Sequence, residues 1–281
     1  MKYFLLLLSA RMVMAGVDGG GPSVTPLDPP SGGTDAVNLY LLQDWTLTEK
    51  ALGLDVVKEG GIYYVVGADD NYSIIQGYHP DTGGMTGSLA LNPSNTGCFG
   101  VAWNGTVSDF CYLTNDWYTN DLYYTEDFGS TWSTTYNPAG NLGRGMDFDG
   151  LDYWQTDRDG AKVWRFFPGV GEEDIPVPQA PGQLSGLTVF PFGANLGVIV
   201  ASYSETSLFF FEWDGVAMYY LGSASLPVSG IDNSLGIAYY EVDGSIFWSY
   251  MDTGGDYHLT RLEFEITDLQ HSTWGSIKST F

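Results

Sequence analysis

Short runs of alternating apolar and polar residues follow one another along most of the chain, separated by Gly, Asn and Asp. Alternation with a period of two is typical of strands that bury one face, and the separating residues are those that tight turns need. No segment after the first residues shows sustained helical periodicity. The pattern therefore predicts an all-β chain of short strands.

One unit of this pattern recurs five times. Each unit begins with a glycine and alternating apolar residues, which predict a first strand, and continues with a tight-turn signal and two further strands. Successive glycines are 41 to 50 residues apart, which accommodates four strands and their turns. They are Gly53, Gly100, Gly145, Gly186 and Gly236, and the turn signals are Gly60-Gly61, Asn104-Gly105, Asp149-Gly150, Gly193-Ala194-Asn195 and Asp243-Gly244. We predict a β-propeller of about five four-stranded blades.

The segment 37–50 precedes the first repeat and leaves the blade count open. Its apolar residues around Tyr40 and Trp45 predict one more strand. That strand either pairs with the last blade and closes the ring, which removes exposed sheet edges, or belongs to a sixth blade. Six blades are therefore the alternative.

An eight-residue stretch in the second repeat reads Thr125-Glu-Asp127-Phe-Gly129-Ser-Thr131-Trp132. It resembles the Asp-box of the BNR, sialidase-like and sortilin-like β-propellers, and weaker echoes occur at Asp81-Thr-Gly83 and at 268–274. The resemblance implies a structural turn, in which Asp127 accepts backbone N–H bonds, Gly129 and Thr131 complete the turn, and Trp132 packs between sheets. It implies no activity, because the chain lacks the Phe/Tyr-Arg-Ile-Pro segment and arginine triad of sialidases. The alternative is a chance turn of common residues.

The N-terminus predicts export. Residues 1–15 combine a basic start, a short apolar run and small residues before Gly16, as in a secretory signal, although Arg11 interrupts the apolar region. Residues 16–36 are rich in Gly and Pro and predict a linker, which leaves 37–281 for the propeller. We expect a secreted, periplasmic or cell-surface protein without membrane insertion.

The chain has 34 acidic and 10 basic residues, a formal charge of −24. Such a charge repels phosphate backbones and anionic lipids, so nucleic acid is excluded as a partner. Cations, basic partners and neutral sugars remain, and simple solubility explains the charge equally well.

The predicted loops between second and third strands are acidic and carry aromatic residues. If they converge on one face, they form a binding surface for a glycan, a cation or an extracellular protein. The alternative is that Asp is simply a common turn residue. The candidate binding residues are Asp69, Asp70, Asp116, Trp117, Asp157, Asp159, Tyr203, Asp252 and Asp256.

Asp55 and Asp147 occupy the same offset in two first strands. They are candidates for holding a cation in the central channel, or for capping nearby backbone groups. No cofactor is required by any motif, and Ca²⁺ is the one candidate that the carboxylates suggest. Calcium binding predicts a melting temperature that rises more with millimolar Ca²⁺ than with NaCl of equal ionic strength.

Enzymatic signatures are scarce. The three histidines have no metal-ligand spacing, and neither a Gly-x-Ser-x-Gly elbow nor a phosphate loop occurs. We therefore expect a non-enzymatic binding or scaffold module. The alternative is a glycoside hydrolase with a carboxylate pair at the channel mouth, for which no catalytic residue can be named.

Cys98 and Cys111 are the only cysteines. If Asn104-Gly105 closes a two-residue hairpin, Cys98 and Cys111 face each other at a non-hydrogen-bonded position. The spacing then predicts a cross-strand disulfide, with two buried free thiols as the alternative.

Overall fold

The described residues, 36–105 and 111–267 of a computed structural model, form twenty β-strands and one single-turn 3₁₀ helix, Gly140–Leu142. The strands assemble into five antiparallel sheets of four strands each, the blades of a five-bladed β-propeller. No helix among these residues is long and apolar enough to cross a membrane. The predicted signal segment, the predicted linker up to residue 35 and the Asp-box echo at 268–274 lie outside the described residues.

Four blades consist of consecutive strands. Blade 1 contains β2 (Leu54–Glu59), β3 (Ile62–Asp69), β4 (Ile74–Tyr78) and β5 (Met85–Ala90). Blade 2 contains β6 (Cys98–Trp103), β7 (Tyr112–Asp116), β8 (Asp121–Thr125) and β9 (Ser133–Tyr136). Blade 3 contains β10 (Gly143–Phe148), β11 (Tyr153–Asp157), β12 (Lys162–Phe167) and β13 (Gly171–Pro176). Blade 4 contains β14 (Leu184–Phe192), β15 (Asn195–Ser202), β16 (Ser207–Trp213) and β17 (Met218–Ser225).

Blade 5 closes the ring. It combines β18 (Ile231–Tyr240), β19 (Ser245–Asp252) and β20 (Tyr257–Thr267) with β1 (Ala36–Leu47), the first described strand. Strand β1 pairs antiparallel with β20 from Ala36 opposite Thr267 to Leu47 opposite Tyr257. The closing role predicted for segment 37–50 is therefore confirmed, and the six-bladed alternative is wrong.

The five repeated glycines lie where the first strands of neighbouring blades approach each other. A Cβ atom at any of them would lie closer than 3.0 Å to backbone of the next blade. At Gly145, for example, it would be 2.6 Å from Leu187 N, and at Gly236 it would be 2.6 Å from Leu52 O. The contacts run from blade to blade around the axis. Close backbone approach therefore explains why the repeat begins with glycine.

Most of the apolar core lies between adjacent blades. Each of the five blade interfaces has its own cluster of buried side chains. Trp248 and Phe210 belong to the cluster between blades 4 and 5, and Trp154 and Phe211 to the one between blades 3 and 4. All four are almost completely buried. Sheet-on-sheet packing of this kind is what holds a propeller together, because no single blade buries both of its faces alone.

The turn from β8 to β9 contains the Asp-box-like stretch. The Thr131 N–H donates to Asp127 Oδ1 and the Thr131 hydroxyl to Asp127 Oδ2, both at 2.8 Å. These bonds, with one from the Thr125 hydroxyl, lower the pKa of Asp127. Trp132 Nε1–H donates to Ala90 O of blade 1 at 3.2 Å. The turn thus ties two blades together.

The predicted disulfide is wrong, because both cysteines are free thiols in the structure. Strand β7 begins only at Tyr112, which lies opposite Trp103 of β6. Asn104-Gly105 therefore does not close a two-residue hairpin. The register places Cys98 opposite Asp116 instead of Cys111. Both thiols lie in the core between blades 1 and 2, where burial raises their pKa values.

We expect two reactive thiols per chain when the protein is unfolded without prior reduction. A native disulfide would survive unfolding, whereas buried thiols become accessible and react once the core opens. A thiol titration in denaturant measures this directly. Detection of no thiol would show that the cysteines are bridged and that the register of β6 and β7 differs from the one described.

Candidate functional site

The acidic loops between second and third strands lie on one face of the propeller, here called the loop face. In four of the five loops, the first Asp accepts a hydrogen bond from the backbone N–H two residues later. The pairs are Asp69 with Asn71, Asp116 with Tyr118, Asp157 with Asp159 and Asp252 with Gly254, at 2.7–3.2 Å. An Asx turn of this kind uses the carboxylate to fold its own loop. The recurrence of Asp in these loops therefore has a structural cause.

Three further predicted binding residues of the loop face are Asp70, Asp159 and Asp256. Asp70 pairs with Lys50 and Asp159 with Arg158, each at 2.8 Å, while the backbone N–H of the exposed Asp256 donates to Asp252. Within the described residues, no group of three His, Cys, Asp or Glu side chains is arranged to hold a metal ion. Calcium dependence stays a prediction, for which the comparison with NaCl is the test.

The aromatic residues of the loop face do come together. Trp117 and Tyr203, with Tyr257, pack against buried Leu52, Phe99 and Leu235 near the axis. The Arg144 guanidinium lies 5.3 Å from the Trp117 ring centroid and 5.6 Å from that of Phe99. It is buried and donates to the carbonyls of Asn141 and Gly143. Burial, with the like charge of Arg158, lowers the pKa of Arg144 to about 10. These side chains form a packed cluster.

A cavity of about 450 Å³ lies on the opposite face, formed by the turns between first and second strands and here called the hairpin face. All five blades contribute to its wall, so it lies on the propeller axis. The wall combines aromatic rings, apolar side chains, four carboxylates and one lysine. The lining residues include Asp55, Lys58, Tyr63, Trp103, Asp147, Phe148, Asp149, Phe190, Tyr239 and Glu241.

Asp55 and Asp147 bind the inner strands together at this cavity. Asp55 accepts the N–H of Val56 in its own blade and that of Trp103 in blade 2, both at 2.6 Å. Asp147 accepts the N–H of Phe148 at 2.6 Å and that of Val189 in blade 4 at 2.7 Å. Each carboxylate therefore bridges two neighbouring blades.

Thr188 completes the same network. Its hydroxyl donates to Asp147 Oδ2 at 2.6 Å and accepts the N–H of Tyr239 in blade 5 at 2.9 Å. The N–H groups three residues after all five repeated glycines are thus satisfied by three side chains. Inner strands have no neighbouring strand on the axis side, so these donors need side-chain acceptors. The capping role considered for Asp55 and Asp147 is the one observed, and neither belongs to a three-residue metal cluster.

The two carboxyl groups are also unusual electrostatically. Burial raises the pKa of Asp147 to about 6, although its hydrogen bonds act in the opposite direction. Burial, and then the charge of Asp147, raise the pKa of Asp55 well above its ordinary value. Both groups line the same cavity, and the charge of Asp147 disfavours ionisation of Asp55.

Aromatic side chains, Lys58 and Glu241 complete the wall of the cavity. The Phe190 and Tyr239 rings lie 5.4 Å apart, and the Tyr63 hydroxyl donates to Glu241 at 2.6 Å. Lys58 Nζ lies 4.8 Å above the Tyr63 ring. Of the residues in this cavity, only Asp55 and Asp147 are predicted from the sequence to be functional. The signal for the others was their position, because Trp103, Phe148 and Tyr239 each follow a repeated glycine by three residues.

Comparisons with known proteins show the fold alone. Glutaminyl cyclase of Myxococcus xanthus is similar with 13% identity over 84% of this chain and 100% of that chain, at a TM-score of 0.58. The PQQ-bound aldose sugar dehydrogenase of Streptomyces coelicolor has 15% identity over 82% and 99%, at a TM-score of 0.51. No protein-family model and no curated protein matches the sequence. The neighbours are β-propellers, and the specific relation to Asp-box propellers remains a prediction.

Proposed function

We propose that this protein is a non-enzymatic propeller that binds a small molecule, or the end of a glycan, in the axial cavity of the hairpin face. The predicted export signal is part of this proposal and would present the cavity outside the cytoplasm. The proposed binding surface is the hairpin face, where five blades enclose a cavity. It is not the loop face, where the Asp residues fold their own loops. Concave sites with aromatic walls and a few fixed polar groups are where small ligands bind.

The single observation that carries the proposal is the environment of Asp55 and Asp147. Both oxygens of each carboxylate accept an N–H bond from the inner strands. Groups held in this way are rigid and are well suited to orienting a ligand. A general acid or nucleophile must instead change its bonding during the reaction, which here would release the contacts that join the blades.

A glycoside hydrolase is the second candidate, and one observation favours it. Two carboxyl groups share a cavity, and the pKa of one is raised to about 6, a property of catalytic acids. The similar structures named above include enzymes, so the same experiment must measure binding and turnover.

We expect saturable binding without turnover. Choline, glucose and N-acetylglucosamine are titrated into the protein by calorimetry, and a set of nitrophenyl glycosides is incubated with it over pH 4 to 8. The proposal predicts that at least one of the three compounds binds with unit stoichiometry and that no glycoside is cleaved. Sustained cleavage that is lost in Asp147→Asn, with the variant still folded, would replace the proposal with the hydrolase.

A further inference from the structure

Arg144 is a buried cation that has no acidic partner. It is 4% exposed, and within the described residues it forms no ion pair, whereas Arg158, Arg165 and Arg261 each pair with an Asp. Although burial lowers the pKa of Arg144 to about 10, the guanidinium stays charged at neutral pH. Burying a charge without pairing it is costly, so an anion is the natural complement of this side chain.

The hydrogen bonds of Arg144 use only one end of its guanidinium. Nη1 donates to Asn141 O at 3.1 Å and to Gly143 O at 2.6 Å, while no described group accepts from Nε or Nη2. The rings of Phe99 and Trp117 contact the guanidinium, but neither ring supplies an oxygen acceptor. The N–H groups of Nε and Nη2 form a fork that matches the two oxygens of a carboxylate.

The nearest acidic residues are engaged in other contacts. The charges of Asp159 and Asp157 influence Arg144, but the two Asp159 oxygens accept from Arg158 at 2.9 and 2.8 Å. Asp157 accepts the backbone N–H groups of Asp159 and Gly160 and so folds its own loop. A chain with a formal charge of −24 therefore supplies no carboxylate to Arg144.

Ser185 is a second polar group without a partner, in the neighbouring blade. The residues directly before the repeated glycines occupy equivalent positions near the axis, and they are Leu52, Phe99, Arg144, Ser185 and Leu235. Blades 3 and 4 are in contact here, because a Cβ on Gly145 would lie 2.7 Å from Ser185 O. Ser185 is completely buried, and its hydroxyl has no hydrogen-bond partner among the described residues. Its side chain is the smallest of the five, which leaves most room beside Arg144.

We propose that the space between Arg144 and Ser185, at the loop-face end of the axis, binds the carboxylate of a small organic acid. The Nε and Nη2 edge of the guanidinium holds both carboxylate oxygens, and the Ser185 hydroxyl donates to one of them. One negative charge neutralises one positive charge, which favours a monocarboxylate over a dianion such as phosphate. The buried apolar side chains around the axis exclude water and strengthen the ion pair.

This site is separate from the axial cavity of the hairpin face. The repeated glycines, where the inner strands of neighbouring blades approach each other, lie between the two. Arg144 and Ser185 directly precede a repeated glycine, whereas Asp55 and Asp147 follow one by two residues. The carboxylate site therefore does not depend on the proposed function.

NMR of the arginine Nε–H groups tests the ligand class in the unmodified protein. The chain has five arginines, few enough for their Nε–H resonances to be followed singly. Acetate and its uncharged isostere acetamide are titrated at neutral pH and constant ionic strength. We expect acetate to shift the Arg144 resonance saturably and to bind at least about tenfold more tightly than acetamide, because only acetate is charged. Absence of a saturable shift at Arg144, or equal affinity for the two compounds, overturns the inference.

Ser185→Ala tests the position of the site. The substitution removes a buried hydroxyl that has no partner, so the variant is expected to be at least as stable as the natural chain. Its affinity for acetate should fall about fivefold, whereas Ser223→Ala, at an exposed position of β17, leaves the affinity unchanged. Lys58→Met, in the axial cavity, should leave it unchanged as well. Unchanged affinity in Ser185→Ala, or weakening by Lys58→Met alone, overturns the inference.

Discussion

Replacing Gly100 by Ala is expected to destabilise the protein by on the order of 4 kcal/mol or to prevent folding. The new Cβ would lie 2.7 Å from Met146 Cγ and would overlap the carbonyl oxygen of Arg144. Both atoms belong to the first strand of blade 3, so relief requires that strand to move away from the axis. Because the approach recurs around the ring, the strain cannot be relaxed within one blade. Urea unfolding, or recovery of soluble protein, measures the effect.

Gly87→Ala is the matched control. Gly87 also lies in a strand, β5, but no atom is within 4 Å of its added Cβ, and its backbone is outside the left-handed region. The substitution is expected to leave stability unchanged or to raise it by about 0.5 kcal/mol, because alanine restricts the unfolded chain. Similar stabilities for Gly100→Ala and Gly87→Ala would contradict the close backbone approach between blades at the repeated glycines.

Removal of the Asp147 carboxylate is the second change that is expected to lower the stability of the protein strongly. Asp147→Ala leaves the N–H groups of Phe148 and Val189 and the hydroxyl of Thr188 without this acceptor. Each unsatisfied buried donor costs about 1–3 kcal/mol, so a loss on the order of 3 kcal/mol is expected in mildly acidic solution. Near neutral pH, loss of the buried charge offsets part of that cost.

The pH dependence of this loss identifies its cause. The pKa of Asp147 is about 6 in the folded protein and 3.8 ordinarily, so the folded state binds this proton more tightly. The resulting stabilisation is fully present below pH 3.8 and is lost as pH rises through 6. The stability gap between the natural chain and Asp147→Ala should therefore widen on acidification from pH 7 to 4, by on the order of 3 kcal/mol. If this stability difference narrowed on acidification, the pKa of Asp147 in the folded protein would be lowered, as for an ordinary ion-paired carboxylate.

Much of the fold could be predicted from sequence because the repeat has a physical cause at each position. Glycine is required where inner strands approach, and apolar alternation follows from packing between blades. The register of β6 and β7 could not be predicted, because Asn104-Gly105 signals a turn without fixing how many residues the loop contains. The disulfide prediction assumed a register in which Cys98 faces Cys111. It was wrong because Cys98 lies opposite Asp116 instead.

The candidate site was harder to predict than the fold. The equal offset of Asp55 and Asp147 revealed two groups near the axis, but their partners are backbone amides, which no residue pattern displays. Asp69, Asp116, Asp157 and Asp252 were selected because Asp is a potential ligand, whereas in the structure their carboxylates build turns. Composition cannot separate these roles, since both require an exposed loop and a carboxylate.

The affinity of two single-charge variants tests most directly whether the axial cavity is the binding site. Glu241→Gln removes an exposed carboxylate from the cavity, and Asp256→Asn removes one from the loop face. Each is titrated with choline, glucose and N-acetylglucosamine beside the natural chain. For the tightest of these ligands, Glu241→Gln should weaken binding about fivefold, as expected for losing about 1 kcal/mol of ion pairing or hydrogen bonding, and Asp256→Asn should leave it unchanged. Weakening by Asp256→Asn alone would place the site on the loop face and contradict the account.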